Sequence, residues 1–580
     1  TGDKITMIIL GINAYHADAS AAIFVDGKLI AATEEERFTR VKHWAGFPSM
    51  AVLFCLKEAG INIEQVDYFA IGRDPKAKFF KKILYVLANP GGSAATIKDR
   101  FSNSRKVAGI DEELSALSGM AAHLFKNKIV NVEHHRSHLA SAFFASPFEK
   151  AACLSIDGSG DFTTTMTAVG KTNSIEVLQS LDFPHSLGIF YTAFTQLLGF
   201  PHYGDEYKVM GMAPYGEPLF VDKLHDVVTL STDGLFKLNL QYFRKGTQGI
   251  ITYNENHVPM VAPLFSELMI EKFGNPRKNK EELNAYHKNL AASVQRFTEE
   301  VIFHVLNHLH MQTGLTDVCI AGGVAQNSVA NGKITRNTPF KNVYIPSAGH
   351  DAGISMGAAL FVQHQQKNMQ RSPIFSAYTG SKWTNEEIIA LLKKENISFR
   401  QLPDEELYEA VVNRLINGGV VGWMNGRAEF GPRALGARSI IADPRRKDAK
   451  EILNTKIKRR ESFRPFAPSI LKEFVHEYFE IDEPVPFMEK VFPIKIEKQE
   501  NIPAVTHVDG SGRLQTVDKD ISPRYYQLID TFRKKTGVPI LLNTSFNENE
   551  PIVNSPAEAL ACFLRTNMDM LVMENCLVER

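Results

Sequence analysis

The stretch MIILGINAYHADASAAIFVDGKLIAATEE, residues 7–35, predicts the fold of the first part of the chain. Met7–Asn13 is apolar through Ile12, which is typical of a buried strand, and a polar loop follows at 14–20. The next run predicts a β-hairpin with Asp26-Gly27 at its turn, because this dipeptide favours the left-handed backbone that two-residue turns require. The order is therefore strand, polar loop, hairpin.

The same order recurs later in the chain. Ala152–Ile156 is apolar, the polar sequence DGSGDFTT occupies 157–164, and TMTAVGKTNSIEVLQS at 165–180 predicts a second hairpin. A third loop, AGGVAQNSVANGKI at 321–334, follows an apolar strand and predicts a strand–glycine–helix turn, whose free amides favour an anion. Together these features predict an α/β domain with an internal duplication, of the actin/hexokinase/Hsp70 ATPase type, over residues 7–365.

A second domain is predicted beyond a polar linker at Gln363–Ser376. The segment TNEEIIALLKKENI at 384–397 predicts a capped amphipathic helix, and β-rich patterns follow it. We place this α/β domain at residues 380–580.

Composition limits the functions that need to be considered. The chain has 580 residues, 22% of them charged, and a formal net charge of zero, which argues against a dedicated nucleic-acid binder. Five scattered cysteines without a CxxC motif indicate a reducing compartment, so we expect a cytoplasmic protein. No apolar run is long enough to predict a membrane span. We expect residues 1–6 to lie outside the fold.

A metal site is predicted from four residues of the first domain. His134 and His138 are spaced i, i+4, so both imidazoles share one face of a helix. Asp157 follows a predicted strand, and Asp351 lies in the turn PSAGHDAGISMGAAL. This mixed set suits Fe²⁺, Mn²⁺, Mg²⁺ or Zn²⁺, whereas the histidine pair alone would more often be structural. His135 points away from this face and is predicted to be structural.

Other polar residues are candidates for the chemistry of the first domain. His16 and Asp18 could form a general base and the group that orients it, or they could simply close their loop. Lys208 could contact a ligand phosphate or carbonyl, or be a surface lysine. Glu34 and Glu35, in TEEERFTRVKH, belong either to the wall of an active site or to a salt-bridged helix start.

The most basic part of the sequence is GWMNGRAEFGPRALGARSI at 422–440 with KIKRRESFRPFAP at 456–468. Twelve Lys and Arg residues lie between Arg427 and Arg464 inclusive, among glycine, proline and aromatic residues. Arginine binds phosphate or carboxylate through two parallel hydrogen bonds, and glycine lets the backbone approach a ligand closely. The alternative is a solvated basic face, but this spacing fits no helix face. The stretch predicts a pocket for a small polyanion.

These motifs resemble a known family. HHRSHLASAFFAS, DGSGD, GDEYKVMGMAPYG, GGVAQN and GHDAG are similar to the first domain of the NodU/TobZ-type O-carbamoyltransferases, and GRAEFGPRALGARSI, KRRESFRPFAPS, THVDGSGRLQTV and LLNTSFN are similar to the second. The first domain of that family resembles TsaD and the second resembles YrdC. The resemblance implies that the YrdC-like domain forms carbamoyladenylate from carbamoyl phosphate and ATP, and that the TsaD-like domain transfers the carbamoyl group to a hydroxyl.

The resemblance also implies roles for individual residues. It assigns the metal to His134, His138, Asp157 and Asp351, with Fe²⁺ as the family's metal. Taking the residues and the resemblance together, we expect catalysis to involve His16, Asp18, Lys208 and Arg464. It assigns a nucleotide loop to Gly322, Gly323 and Asn327. The carbamoyl phosphate and nucleotide contacts of the second domain would be Arg433, Lys458, Arg464, His507, Arg513, Asn543, Ser545 and Asn547. One departure is that an extra residue separates His16 from Asp18, which displaces His16 from the family's base position.

Three functions follow as alternatives. The first is ATP-dependent carbamoylation of a small-molecule alcohol, such as a sugar or natural product, with Mg²⁺ accompanying ATP. It predicts no nucleic-acid or membrane partner. The oligomeric state is left open, and a homodimer is one possibility. The second is carbamoylation of a macromolecule, although HypF-like proteins carry CxxC motifs that this chain lacks. The third is a nucleotide-binding regulator without transfer chemistry, which predicts loss of the cationic pocket.

Overall fold

The computed structural model of the chain describes residues 7–88, 107, 109–244, 251–253, 256–278, 280–366 and 370–580. Residues 1–6, which were predicted to lie outside the fold, are not among those described. The chain divides into two compact units. Unit 1 comprises residues 1–330 and 334–374, and unit 2 comprises residues 331–333 and 375–580.

Unit 1 contains two five-stranded mixed sheets of the same design. The first contains β1 (Ile8–Asn13), β2 (Ser20–Val25), β3 (Lys28–Glu34), β4 (Tyr68–Ile71) and β5 (Ile129–Asn131) in the order β3-β2-β1-β4-β5. The second contains β6 (Lys150–Gly160), β7 (Thr163–Lys171) and β8 (Ser174–Asp182), and later β13 (Asp317–Ala321) and β14 (Asn342–Tyr344). Two hairpins lie between β8 and β13 in the chain. They are β9 (Val228–Leu230) with β10 (Phe236–Leu238), and β11 (Ile251–Tyr253) with β12 (Pro259–Val261).

The order of the second sheet, β8-β7-β6-β13-β14, repeats that of the first, with the same antiparallel and parallel pairings. The predicted duplication is therefore confirmed. The Asp26-Gly27 turn is also confirmed, since both residues have positive φ. The polar sequence at 157–164 was wrongly predicted to be an open loop, because β6 and β7 continue through most of it and only Asp161 and Phe162 form the turn.

Helices cover both sheets of unit 1. Helix Ser49–Ala59 packs on β2 and β3, and helix Gly353–Gln365 packs on β1. This last contact is very close, since a Cβ atom on Gly11 would lie 1.8 Å from the carbonyl oxygen of Ser355. The other α-helices of unit 1 are Glu36–Thr39, Phe79–Ala88, Ile110–Ser118, His123–Lys126, His134–Phe143, Leu187–Leu197, Glu206–Met212, Val221–Leu224, Glu267–Phe273, Ala285–Thr313 and Ile334–Asn337, and Ser328–Asn331 lies at the division.

The helix Gly353–Gln365 corrects one boundary. The predicted linker began at Gln363, yet the helix continues through Gln365 because Gln363 and His364 are buried against the unit. Residues 367–369 of that linker lie outside the described residues, and 370–376 have no helix or strand. Among the residues described, no helix is both long and apolar enough to cross a bilayer.

Unit 2 is built on one nine-stranded mixed sheet with the order β15-β23-β22-β16-β17-β21-β18-β20-β19. Its strands are β15 (Arg400–Gln401), β16 (Val421–Met424), β17 (Arg438–Ala442), β18 (Ala467–Leu471), β19 (Lys490–Pro493), β20 (Ser511–Val517), β21 (Ile540–Ser545), β22 (Met570–Met573) and β23 (Cys576–Glu579). Its α-helices are Asn385–Lys394, Asp404–Ile416, Ala449–Ile452, Val475–Tyr478, Ile496–Gln499, Pro523–Thr536 and Pro556–Arg565, and a π-helical turn spans Leu453–Ile457. The helix predicted at 384–397 is present, with Thr384 as its cap.

Candidate active site

Four side chains from three segments of the chain meet in unit 1 to form what we call the His/Asp cluster: His134, His138, Asp157 and Asp351. The two histidines lie one turn apart on helix His134–Phe143, as their spacing predicts. Asp157 belongs to β6, and Asp351 lies just before helix Gly353–Gln365. All four residues are buried. The structure therefore brings the predicted ligand set together.

The His/Asp cluster has the geometry of a divalent-cation site. Nε2 of His134 lies 3.1 Å from Asp157 Oδ2 and 3.6 Å from Asp351 Oδ1, and Nε2 of His138 lies 3.5 and 3.4 Å from the same oxygens. Donors placed tetrahedrally around one ion with bonds of about 2.1 Å are about 3.4 Å apart. Among the described residues, neither His138 ring nitrogen nor Asp351 Oδ1 has a hydrogen-bond partner. A cation would satisfy Nε2 and Oδ1, so the donor set fits one.

Charge within the His/Asp cluster supports this interpretation. Burial alone would raise the pKa of Asp157, but the hydrogen bond from His134 and the charges of His134 and His138 hold that pKa well below its ordinary value. Burial lowers the pKa of His138, yet the two carboxylates outweigh it and raise the pKa to about 9. The cluster therefore presents two ionised oxygens, as a divalent ion requires.

Backbone contacts hold the ligands in place. The Gly323 N–H donates to Asp157 Oδ1 at 2.9 Å, and the carboxylate of Asp161 accepts from the His134 N–H at 3.0 Å. A Cβ atom on Gly160 would lie 2.0 Å from the His134 ring, so glycine is required there. His135 bonds Ser155 Oγ at 2.7 Å and a backbone carbonyl, which agrees with a structural role.

The predicted nucleotide loop makes internal contacts in this structure. Gly322 has φ of 106°, and the Gly323 amide donates to the carboxylate of Asp157. Asn327 exchanges two hydrogen bonds with Gln295, at 2.9 and 3.0 Å. The strand before this loop is present, but only a 3₁₀ turn and a four-residue helix follow it. Nucleotide binding by Gly322, Gly323 and Asn327 stays a prediction.

His16 and Asp18 do not pair with each other, so the predicted base–orienter pair is wrong. Nδ1 of His16 lies 2.6 Å from Asp351 Oδ2, and Nδ1 of His43 lies 2.7 Å from Asp18 Oδ1. Asn13 ties this loop to the His/Asp cluster, because its Nδ2 donates to the carbonyls of Asp18 and Asp351. Asp18 and His43 therefore form a second Asp–His pair beside the His/Asp cluster.

The electrostatics of that second pair are distinctive. Burial lowers the pKa of His43, but the charge and hydrogen bond of Asp18 raise it to about 9. The ring is 32% exposed and meets Tyr203 edge-on with centroids 5.0 Å apart. The sequence places His43 within a mixed-charge segment, and only its distance from Asp18 in the fold reveals the pair.

Three further candidates of the first domain make local contacts. Lys208 Nζ lies 2.8 Å from Asp205 Oδ1 on the same turn. Glu35 accepts from the amides of residues 50 and 51 and so caps helix Ser49–Ala59. Glu34 lies 3.4 Å from Arg37. The Glu34–Arg37 pair matches the salt-bridged helix start proposed for Glu34, whereas Glu35 caps a different helix. The ligand role of Lys208 stays a prediction.

In unit 2, four arginines lie close together and form what we call the arginine cluster: Arg433, Arg460, Arg464 and Arg513. Burial and the charges of the other three hold the pKa of Arg513 well below its ordinary value. Arg513 forms no ion pair within the described parts of the chain, and its Nε has no hydrogen-bond partner there. A group of guanidiniums around such a cation has the chemistry to bind a polyanion.

Sequence reasoning missed one member of the arginine cluster. Arg460 lies in the quoted stretch KRRESFR, but nothing in the spacing distinguishes it from its neighbours. Its Nε donates to Asn454 Oδ1 at 2.7 Å, and its guanidinium lies 4.8 Å from the centre of the Phe466 ring. The aromatic residues that lie among the basic ones, such as Phe466, are the sequence feature that could have pointed to Arg460.

Two other arginines of the basic stretch hold loops together. Arg438 is fully buried and donates to the backbone carbonyls of Ser381, Asn425 and Gly426. Arg427 donates to the carbonyls of residues 379 and 380. The basic stretch therefore mixes structural cations with those of the arginine cluster.

Lys458 makes internal hydrogen bonds in this structure. This buried ammonium donates to Ser545 O, and to Asn547 O and Oδ1 at 2.7 Å each. Asn547 Nδ2 donates to the carbonyl of Glu550 at 2.7 Å. Lys458, Ser545 and Asn547 therefore bind each other and fix the end of β21, and the phosphate or nucleotide contacts predicted for them stay a prediction.

His507 and Asn543 are placed near the arginine cluster. Burial, with the charges of Arg513 and Lys450, lowers the pKa of His507 to about 4 although Asp509 opposes this, so the ring is neutral at pH 7. Its Nδ1 lies 3.2 Å from Ser511 Oγ. Asn543 lies on β21, where its Nδ2 reaches the carbonyl of Ala434 at 3.1 Å.

Comparisons with known proteins agree with two functional units. Residues 8–360 match the family model described as the carbamoyltransferase N-terminus, and residues 412–580 match the carbamoyltransferase C-terminus. The chain therefore belongs to the carbamoyltransferase family and is a carbamoyltransferase.

Two relatives and one solved structure illustrate the similarity. The chain is 42% identical to the uncharacterized protein sll1178 of Synechocystis, over 99% of this chain and 96% of that protein. It is 36% identical to the nodulation protein NolNO of Sinorhizobium fredii, over 98% and 80% respectively. The structure of (R)-2-hydroxyglutaryl-CoA dehydratase component A of Acidaminococcus fermentans aligns with 62% of this chain and all of that one, at 14% identity and a TM-score of 0.32, which is too low to support any conclusion.

Proposed function

We propose that this carbamoyltransferase uses ATP and carbamoyl phosphate to carbamoylate a hydroxyl of a small molecule. The observation that carries the proposal is the arginine cluster, where Arg513 lies among three other guanidiniums. Such a site suits two phosphorylated substrates, because fixed cations stabilise the charge that develops on phosphorus. The sequence resemblance of unit 2 to YrdC and of unit 1 to TsaD supports the same division of labour.

The proposed reaction has two steps. In the first step, water cleaves carbamoyl phosphate to carbamate and phosphate. A carbamate oxygen then attacks the α-phosphorus of ATP, which forms an O–P bond as pyrophosphate leaves and gives carbamoyladenylate. In the second step the acceptor hydroxyl attacks the carbamoyl carbon, and the bond to AMP breaks. The hydroxyl proton passes to a base, for which His16 and the Asp18–His43 pair are the candidates beside the His/Asp cluster.

The residues of unit 1 would serve the second step. His134, His138, Asp157 and Asp351 would hold a divalent cation, which the family resemblance suggests is Fe²⁺. Such an ion lowers the pKa of a hydroxyl that binds it. Asn13 and the Gly323 amide keep the ligands oriented, as groups behind metal ligands do. The zero net charge supports a small acceptor over a nucleic acid.

The test separates the two steps. Pyrophosphate release from ATP, measured without acceptor, should depend on carbamoyl phosphate. Arg464→Ala should abolish that release, whereas His138→Ala should keep it and lose transfer to an acceptor. Release that is independent of carbamoyl phosphate, or a loss of both steps in His138→Ala, would contradict the proposal.

A further inference from the structure

Asn543 belongs to a buried hydrogen-bond network whose donor directions are fixed by backbone carbonyls. Gln515 Nε2 donates to the carbonyl of Leu435 at 2.7 Å, so its Oε1 can only accept. Asn543 Nδ2 lies 3.1 Å from the carbonyl of Ala434 and 3.0 Å from that Oε1. Both neighbours are acceptors, so the amide nitrogen, not its oxygen, must face them. Ser469 Oγ completes the network, 3.1 Å from Asn543 Nδ2.

One hydrogen-bond acceptor of this network has no donor. Oδ1 of Asn543 has no hydrogen-bond partner among the described residues, although Asn543 is only 1% exposed. Native proteins leave few buried polar atoms in this condition. Because the nitrogen side of the amide is fixed, the amide cannot rotate to satisfy the oxygen. Oδ1 of Asn543 therefore needs a hydrogen-bond donor from outside the chain.

Two hydrogen-bond partners of Asn543 adjoin members of the arginine cluster. Gln515, which bonds Asn543, shares one face of β20 with Arg513, because side chains two apart on a strand point to the same side. Ala434, which also bonds Asn543, directly follows Arg433 in the chain. Two members of the cluster thus flank the network through adjacent positions.

We propose that Oδ1 of Asn543 accepts a hydrogen bond from the amino group of the carbamoyl donor and so selects it over other acyl phosphates. This rests on the proposed function, since it requires carbamoyl phosphate at the arginine cluster. The phosphate and carbonyl of that molecule only accept hydrogen bonds, and the amino group is its one strong donor. Acetyl phosphate has the same shape with a methyl group in that place, and it would leave Oδ1 buried without a partner.

The test compares the dissociation constants of carbamoyl phosphate and acetyl phosphate, measured by calorimetry on the whole chain. The wild type should bind acetyl phosphate roughly 10- to 100-fold more weakly, as expected for an unsatisfied buried acceptor. Asn543→Ala should reduce this ratio to within about threefold of one. Ser469→Ala is the matched control, because it removes a hydroxyl that contacts only the nitrogen side, and it should keep the wild-type ratio.

Several results would overturn the proposal. Equal wild-type affinities for the two phosphates would do so without any variant, which covers the case in which Asn543→Ala fails to fold. Full discrimination retained by Asn543→Ala would also do so. Pyrophosphate release that does not depend on carbamoyl phosphate would refute the proposed function alone, whereas binding of neither phosphate would refute both.

Discussion

Replacing Arg513 by Gln should stabilise the protein in the absence of anions. Arg513 lies among three like charges, which together with burial depress its pKa. Two like charges roughly 7 Å apart repel each other by about 2 kcal/mol at an effective dielectric constant of about 20, and salt reduces this by about half. Three neighbours then give on the order of 3 kcal/mol, offset by the packing lost with the side chain. We expect a net gain of about 1–2 kcal/mol.

The same substitution should remove the response to a polyanion. Pyrophosphate at a hundred times its dissociation constant would stabilise the wild type by about 2.7 kcal/mol, and Arg513→Gln should lose most of this. Equilibrium unfolding in urea measures both effects, because urea does not screen charge as guanidinium chloride does. Trp383 and Trp423 report on unit 2 by fluorescence, with Trp44 reporting on unit 1.

Arg400→Gln provides the matched control, since Arg400 is 55% exposed and pairs with Glu579. It makes the same change of charge outside the arginine cluster, so it should change stability by less than about 1 kcal/mol and leave the pyrophosphate response intact. If Arg513→Gln destabilised the anion-free protein, or if pyrophosphate did not stabilise the wild type, the reasoning about a polyanion site would be refuted.

Three other perturbations have definite expected outcomes. Lys458→Met should destabilise unit 2 by roughly 3–5 kcal/mol, because it strands several buried acceptors; a urea midpoint equal to that of the wild type would contradict the structural role. Asp18→Asn should remove the stabilisation linked to His43, whose pKa is raised from 6.5 to about 9. This stabilisation is complete below about pH 6.5 and is lost as pH rises through 9. The free energies of unfolding of the wild type and of Asp18→Asn should therefore differ at pH 6 and converge above pH 9. Binding of Mn²⁺ should expel a proton from His138, whose pKa is about 9, so calorimetric affinity should rise with pH up to about 9; a pH-independent affinity would count against the His/Asp cluster as the site.

The sequence predicted features that depend on local geometry. The Asp26-Gly27 turn follows from backbone preference, and the shared face of His134 and His138 follows from helical spacing. The duplication was visible because each half repeats its own short-range pattern. In each case the interacting residues are close in the chain.

Partnerships between distant residues were not predictable in this way. Spacing suggested that His16 and Asp18 act together, but the fold gives each a different partner, Asp351 and His43. The family resemblance assigned Lys458 to phosphate or nucleotide, but it gave no sign that this side chain bonds acceptors almost ninety positions away. The His/Asp cluster could be predicted because its four residue types form a recognisable ligand set, whereas nothing in the sequence near His16, Asp18 or Lys458 identifies the distant partner of each.

The placement of helix Gly353–Gln365 has a consequence for synthesis of the chain. This helix, which ends the second half of unit 1, lies directly on β1, where Gly11 leaves no room for a side chain. A ribosome therefore makes β1 more than three hundred residues before the helix that covers it. Asp351 emerges equally late, so the His/Asp cluster cannot form on a nascent chain until nearly all of unit 1 has left the exit tunnel. Loading of a cation there must follow, and can report, the completion of that unit.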